Sequence, residues 1–280
     1  IFFALIAFIV SYTFLKNKNE DKLKQKIAMR YFRFVPLVLI ASLVAYLLLD
    51  LELCPLEKFY DITGNTWGLA MIENEFTFGE ALEIGLFRCF FERTHLVSPF
   101  WCMFYIFLGS MLSFVMMLLY TKIDNKIFFF GSAILLFYFV DQNYLAFIIG
   151  LIAGIIANKE YSMSKAKGAL LVVVGCVLGL FPPVLLPSFI DIVTLYALGA
   201  GFVIVGIHCC FSNNRLLCNK FAEFLGKESL ALIVWQFLIM QSLNIFLYNY
   251  LHGTGMNAPT NITINFIVNA DTNKVTTAIT

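Results

Sequence analysis

Apolar stretches approaching the thickness of a bilayer recur along this chain, separated by short polar breaks, and little else in the sequence constrains its fold as strongly. A helix that crosses the hydrocarbon layer needs about 20 consecutive apolar residues, with a working range of roughly 17–25. Eight runs fit or nearly fit: Ile1–Leu15, Phe34–Leu49, Phe100–Tyr120, Ile127–Val140, Tyr144–Ala157, Ala169–Leu186, Ile190–Phe211 and Leu230–Tyr250. A ninth opens near Ile262 but is interrupted by Asn265, Asn269, Asp271, Asn273 and Lys274. Short alternating strands, the mark of a membrane barrel, are missing. The expected fold is therefore an all-α polytopic transmembrane bundle of eight to nine spans. A composition 60% hydrophobic and 13% charged excludes an ordinary soluble domain.

Charge distribution orients the bundle. Lys16 to Pro36, KNKNEDKLKQKIAMRYFRFVP, is the most basic segment and stands between two apolar runs. Alternating the sides of successive spans places Lys16–Arg33, Thr121–Lys126, Asn158–Gly168 and Ser212–Ser229 together, with fifteen of the 19 Lys and Arg. The opposite loops hold three. Lys and Arg accumulate on the cytoplasmic side, so Lys16–Arg33 is expected to be a cytoplasmic loop and Asp50–Pro99 an external one, in a cell-membrane protein. A net charge of +1 carries no signal for nucleic acid. The chain opens on Ile1 inside an apolar run and ends inside a possible one, and reads as a fragment lacking an N-terminal helix and the C-terminal end. The whole of 1–280 reads as one membrane-embedded domain with an outer loop at 50–99.

Within that loop Thr77-x-x-Glu80 has the form of a capping box and precedes ALEIGLFRCFF. Glu80 and Glu83 at its start, with Arg88 and Arg93 at its end, match the helix dipole. The segment is too charged to span and too apolar to stand in water, so it is expected flat on the outer membrane face or over the mouth of a cavity. The loop's many carboxylates make an acidic carbohydrate a poor guest there unless it contacts Arg88 or Arg93. Asp141-Gln142-Asn143 marks a turn between two short runs, which read as a helical hairpin. Gly150-x-x-x-Gly154 and Gly175-x-x-x-Gly179 allow close helix approach. The seven Cys form no C-x-x-C, so no metal site is expected. Cys54 and Cys89 share the outer loop and either pair or stay free. Cys209 and Cys210 close a span, where burial is favoured over palmitoylation.

Four stretches together resemble the acyltransferase-3 family of integral membrane O-acyltransferases. FFALIAFIVS (Phe2 to Ser11) is similar to the family's second helix, and RYFRFVP (Arg30 to Pro36) to the R-x-x-R-x-x-P that opens its third. SPFWCMFYIFLGSMLSF (Ser98 to Phe114) resembles the L-W-T-x-x-x-E-x-x-G-S helix, with Trp101, Gly109 and Ser110 in register. FLGKESLALIVWQ (Phe224 to Gln236) resembles a late F-L-G-K-x-S segment ending in His. Ile106 stands at the family's Glu, and Gln236 at its His. The resemblance implies a ten-helix protein that transfers an acyl group, such as acetyl, from cytosolic acyl-CoA to a hydroxyl of a glycan or other membrane-linked or exported acceptor. Acyl-CoA would be a co-substrate, with no bound cofactor.

Arg30 and Arg33 share a helical face, and Pro36 suits a first helical turn. Spacing alone favours a topology anchor whose heads reach lipid phosphate; the resemblance implies instead that both guanidiniums hold acyl-CoA phosphates. Trp101, Gln236 and His95 are candidates for a substrate cavity. His208 and His252 read as interfacial residues. The catalytic base is expected upstream of Ile1. Two alternatives belong to other classes: a transporter or flippase for a lipid-linked sugar or small solute, and a degenerate acyltransferase homologue without catalysis.

Overall fold

The computed structural model describes residues 1–51, 77–93, 100–159, 164–186, 191–211 and 219–253. Among the described residues the protein is all-α. Its helices are α1 (Phe2–Asn17), α2 (Glu20–Asp50), α3 (Phe78–Glu83), α4 (Cys89–Phe91), α5 (Phe100–Tyr120), α6 (Lys126–Val140), α7 (Leu145–Asn158), α8 (Lys165–Gly179), α9 (Ile192–Phe211) and α10 (Lys220–Gly253). A π-helical turn, Ile84–Arg88, joins α3 to α4. By length and composition three helical segments suffice to cross a membrane: Glu20–Leu48, Phe100–Tyr120 and Ile192–Cys210. Phe2–Asn17, Lys126–Val140 and Gln142–Asn158 are apolar but shorter. These helices point to a membrane protein, with three rather than eight to nine full-length spans on this criterion among the described residues.

The basic segment is not the loop that its charge implies. Lys18 takes a left-handed conformation (φ 48°) and its amide closes α1 on the Phe14 carbonyl. Asn19 then caps α2, its Oδ1 accepting from the Lys22 amide at 2.9 Å. Only this tight turn separates the two helices. Glu20 and Asp21 in the first turn of α2 suit the dipole, and Leu23 is buried against the core. Pro36 therefore lies deep inside α2 and not in a first turn. Its missing N–H leaves the Phe32 carbonyl without its intrahelical donor.

Two packed clusters share α5. One gathers Ala4, Ala7, Phe14, Leu23, Phe114, Met117, Phe147, Leu151 and Ala200 from α1, α2, α5, α7 and α9. The other gathers Phe34, Val38, Ile84, Phe90, Met103, Ile106, Phe107 and Val234 from α2, the π turn, α4, α5 and α10. Gly150 and Gly154 make the expected close helix approach, and α1 is the partner: a Cβ at Gly150 would lie 2.1 Å from the Ala4 carbonyl oxygen and one at Gly154 2.0 Å from Ser11 Oγ. On α8 the close contact uses a different pair. Gly168 meets Gly206 and Gly175 meets Gly199, so the stripe has a seven-residue period on both helices. Cys209 and Cys210 pack over Gly168.

The α3–α4 segment does not lie flat across the end of the bundle. It descends antiparallel along α2, with Phe78 against Tyr46, the Ala81 carbonyl accepting from Ser42 Oγ at 2.7 Å, and the Leu86 carbonyl accepting from Tyr31 Oη at 2.6 Å. Gly85 permits the approach, since a Cβ there would stand 2.8 Å from the Leu39 backbone. From Tyr46 to Tyr31 is roughly 22 Å of α2.

Candidate functional site

Arg30 projects from α2 onto the middle of α5. Its Nε donates to Ser110 Oγ at 3.0 Å, and Ser110 in turn donates to the Phe107 carbonyl at 2.8 Å. The guanidinium lies 4.5 Å from the centroid of Phe34 and 5.6 Å from that of Phe114, a cation–π setting. Ser110 is the eleventh of the 21 residues of α5. Arg30 thus meets that helix at its centre, well away from the inner boundary where its place beside a basic loop would put it. No carboxylate pairs with Arg30 or Arg33 among the described residues. Arg33 is exposed.

A second polar centre stands at the N-terminal end of α5. Asp141 ion-pairs with Arg93 and accepts from Tyr105 Oη at 3.1 Å. The other carboxylate oxygen accepts from the Asn143 amide at 3.1 Å and from its side-chain Nδ2 at 2.9 Å. Arg93 also lies over the rings of Tyr105 and Phe104. One carboxylate thereby joins the end of the α3–α4 segment, the first turns of α5 and the α6–α7 hairpin. Arg88 is paired as well, with Glu92 at 3.0 Å. Both arginines thus already have carboxylate partners, which leaves an acidic carbohydrate the poorer guest at this face.

At the head of α3 the capping box is complete. The Thr77 amide and hydroxyl donate to Glu80 Oε2 at 2.9 and 3.0 Å, and Thr77 Oγ1 accepts from the Glu80 amide at 3.3 Å. The two bonds from Thr77, the backbone one first, hold the Glu80 carboxyl below its ordinary range.

The remaining candidates do not converge. Trp101 is part-exposed and meets Tyr105 edge-on at 6.1 Å. Gln236 is exposed on α10, and no hydrogen bond joins it to Trp101 among the described residues. His95 and Cys54 lie outside the described residues. His208 stands edge-on to Phe8 and Tyr12. Ile106 is fully buried. Cys89 is a free, buried thiol facing the Phe100 carbonyl. No three His, Cys, Asp or Glu gather as a metal site among the described residues. The sequence reading missed Ser110 as a partner of Arg30 and Asp141 as the partner of Arg93. A basic residue set against a carboxylate on the same side of the bundle was the available signal for the latter.

No family model, curated protein or solved structure matches this chain.

Proposed function

We propose that the protein is a membrane O-acyltransferase that takes an acyl group, such as acetyl, from cytosolic acyl-CoA and transfers it to a hydroxyl of a glycan or other membrane-linked or exported acceptor. One observation carries the proposal. Arg30 of R-x-x-R-x-x-P and Ser110 of the Trp-helix motif lie 80 positions apart, and they form a direct hydrogen bond. Two stretches that resemble the family separately thus make one polar contact in an otherwise aromatic setting. In this arrangement Arg30 and Arg33 supply cationic donors for the ligand's phosphates. The bundle is polytopic, with the Lys18–Asn19 turn on the cytoplasmic side and the α3–α4 segment entering from outside. Transfer requires a base for the acceptor hydroxyl and donors for the tetrahedral oxyanion.

The test is transfer of a radiolabelled acyl group from acyl-CoA to membrane-bound acceptor in membranes containing the protein. Labelling that exceeds empty membranes and disappears in Arg30→Ala supports the proposal; labelling equal in both retires it. Ile106 motivates a second reading. An apolar, fully buried residue stands at the family's Glu, which favours a homologue that binds acyl-CoA without turning it over. Retained acyl-CoA binding with no labelled product would single out that second reading.

A further inference from the structure

Four cations on α2 fall on one stripe. Lys22, Lys26, Arg30 and Arg33 are spaced four, four and three residues apart, which at about 100° per residue confines them to an arc of about 80°. Leu23, Phe34 and Val38 on the adjoining arc are buried in the core, so the stripe runs along the edge of a packed face. Lys22, Lys26 and Arg33 are exposed and have no ion pair among the described residues. The remaining charges at this end of α2 point elsewhere. Asp21 pairs with Lys24 at 3.7 Å, and Glu20 accepts from Thr121 Oγ1 at 3.4 Å. A helix that brings its acidic residues to its other faces leaves four like charges in a row, which repel one another without an anion.

The stripe is built at Arg30. Ser110 and two aromatic rings fix the Arg30 guanidinium, while a planar fork with five N–H donors keeps further donors for an oxyanion. We infer that the Lys22–Lys26–Arg30–Arg33 stripe binds a soluble ligand carrying phosphate groups at two or more positions, with Arg30 as its fixed point. The inference deepens the acyl-CoA proposal, on which it rests for the choice of probe, and adds Lys22 and Lys26 to the binding surface. A lipid headgroup at the membrane boundary reaches one end only. From Lys22 to Arg33 is roughly 16 Å along the axis, and Arg30 sits at mid-length of α5. A nucleotide with separated phosphates can address both ends.

The test uses the full chain with coenzyme A as probe and calorimetry as the readout, in nanodiscs of phosphatidylcholine alone, and compares the variants' partition between these discs and discs containing phosphatidylserine. Lys22→Gln and Lys26→Gln should each weaken binding about threefold, and together about tenfold, with a shallower salt dependence in the double variant. Lys24→Gln, off the stripe, should bind as the parent does. An equal loss in Lys24→Gln would overturn the inference, because diffuse charge would then explain it. So would a parent that holds coenzyme A no better than the double variant, or stripe variants that lose only their preference for discs containing phosphatidylserine. Stripe-dependent binding without acyl transfer leaves the inference standing and removes the enzyme. Acyl transfer with an unchanged KM for acyl-CoA in the double variant does the reverse.

Discussion

Asp141 and Arg93 are 48 positions apart in sequence and form an ion pair at one end of α5. The pair is asymmetric: the Asp141 side chain is 11% exposed and that of Arg93 56%. Asp141 also accepts from Tyr105 and Asn143. Removing the carboxylate strands several donors, while removing the guanidinium strands one carboxylate that keeps other partners. Asp141→Ala should therefore lower stability by about 1–3 kcal/mol, and Arg93→Ala by less than about 1 kcal/mol after solvent screening. Thermal unfolding in detergent reads both. Equal losses, or the reverse order, would contradict the asymmetry.

Arg30 and Arg33 separate phosphate binding from anchoring. Each Ala variant should weaken acyl-CoA affinity by roughly 10- to 150-fold, the equivalent of a lost charge-assisted contact. Arg30→Lys should recover little, because an ammonium cannot bond Ser110 through Nε and still present a planar fork. If both arginines only anchor the helix to lipid, Lys rescues fully and affinity does not change. Affinity in nanodiscs at matched protein amount distinguishes these outcomes.

The capping box makes α3 sensitive to acid. Glu80 has its carboxyl pKa lowered by Thr77 in the fold, so its contribution is complete above the unfolded carboxylate range and fades as pH falls through the lowered folded value. Hydrogen exchange at Ala81 and Leu82 should quicken over that acid window and stay flat above it. Thr77→Ala should cost about 1 kcal/mol of local helix stability and flatten the acid response. Exchange that is unchanged by the substitution would count against the box as the helix start.

Glycine substitutions should divide by site. Gly154→Ala places a methyl 2.0 Å from Ser11 Oγ and 2.8 Å from the Phe8 carbonyl oxygen; overpacking of this kind costs about 1–3 kcal/mol. Gly131 on α6 has nothing within 4 Å, so Gly131→Ala should gain up to about 1 kcal/mol of helix propensity. Unfolding midpoints that move together would refute the division.

Sidedness is open to single-Cys labelling in a background without the seven native Cys. A Cys at Asn19 should resist an impermeant thiol reagent added outside, and a Cys at Gly79 should react. The opposite pattern would invert the topology proposed from the charges.

The sequence made the helices legible because apolar runs of this length have few other solutions. Phe100–Tyr120 falls where the run begins and ends, and Thr77-x-x-Glu80 marks the start of α3 through chemistry confined to four residues. Where the reading failed, a local rule met a distant partner. Lys22, Lys24 and Lys26 looked like loop, yet Asn19 starts a helix there and Leu23 turns one edge of it into the core. Gly175 and Gly179 had the expected spacing, but Gly199 and Gly206 across the interface select Gly168 and Gly175. Of the candidate site, the shared face of Arg30 and Arg33 was visible. Ser110 as a partner was not, because a hydrogen bond across 80 positions leaves no local pattern.

Sharing α5 between two clusters has a consequence for cooperativity. Its N-terminal half contributes Met103, Ile106 and Phe107 to one, and its C-terminal half Phe114, Met116 and Met117 to the other. Loosening either cluster exposes one half of a helix whose other half is still held, and the backbone hydrogen bonds of α5 resist parting midway. Lost packing at Met103 therefore bears on Met117 through one continuous helix, which favours the two clusters opening together.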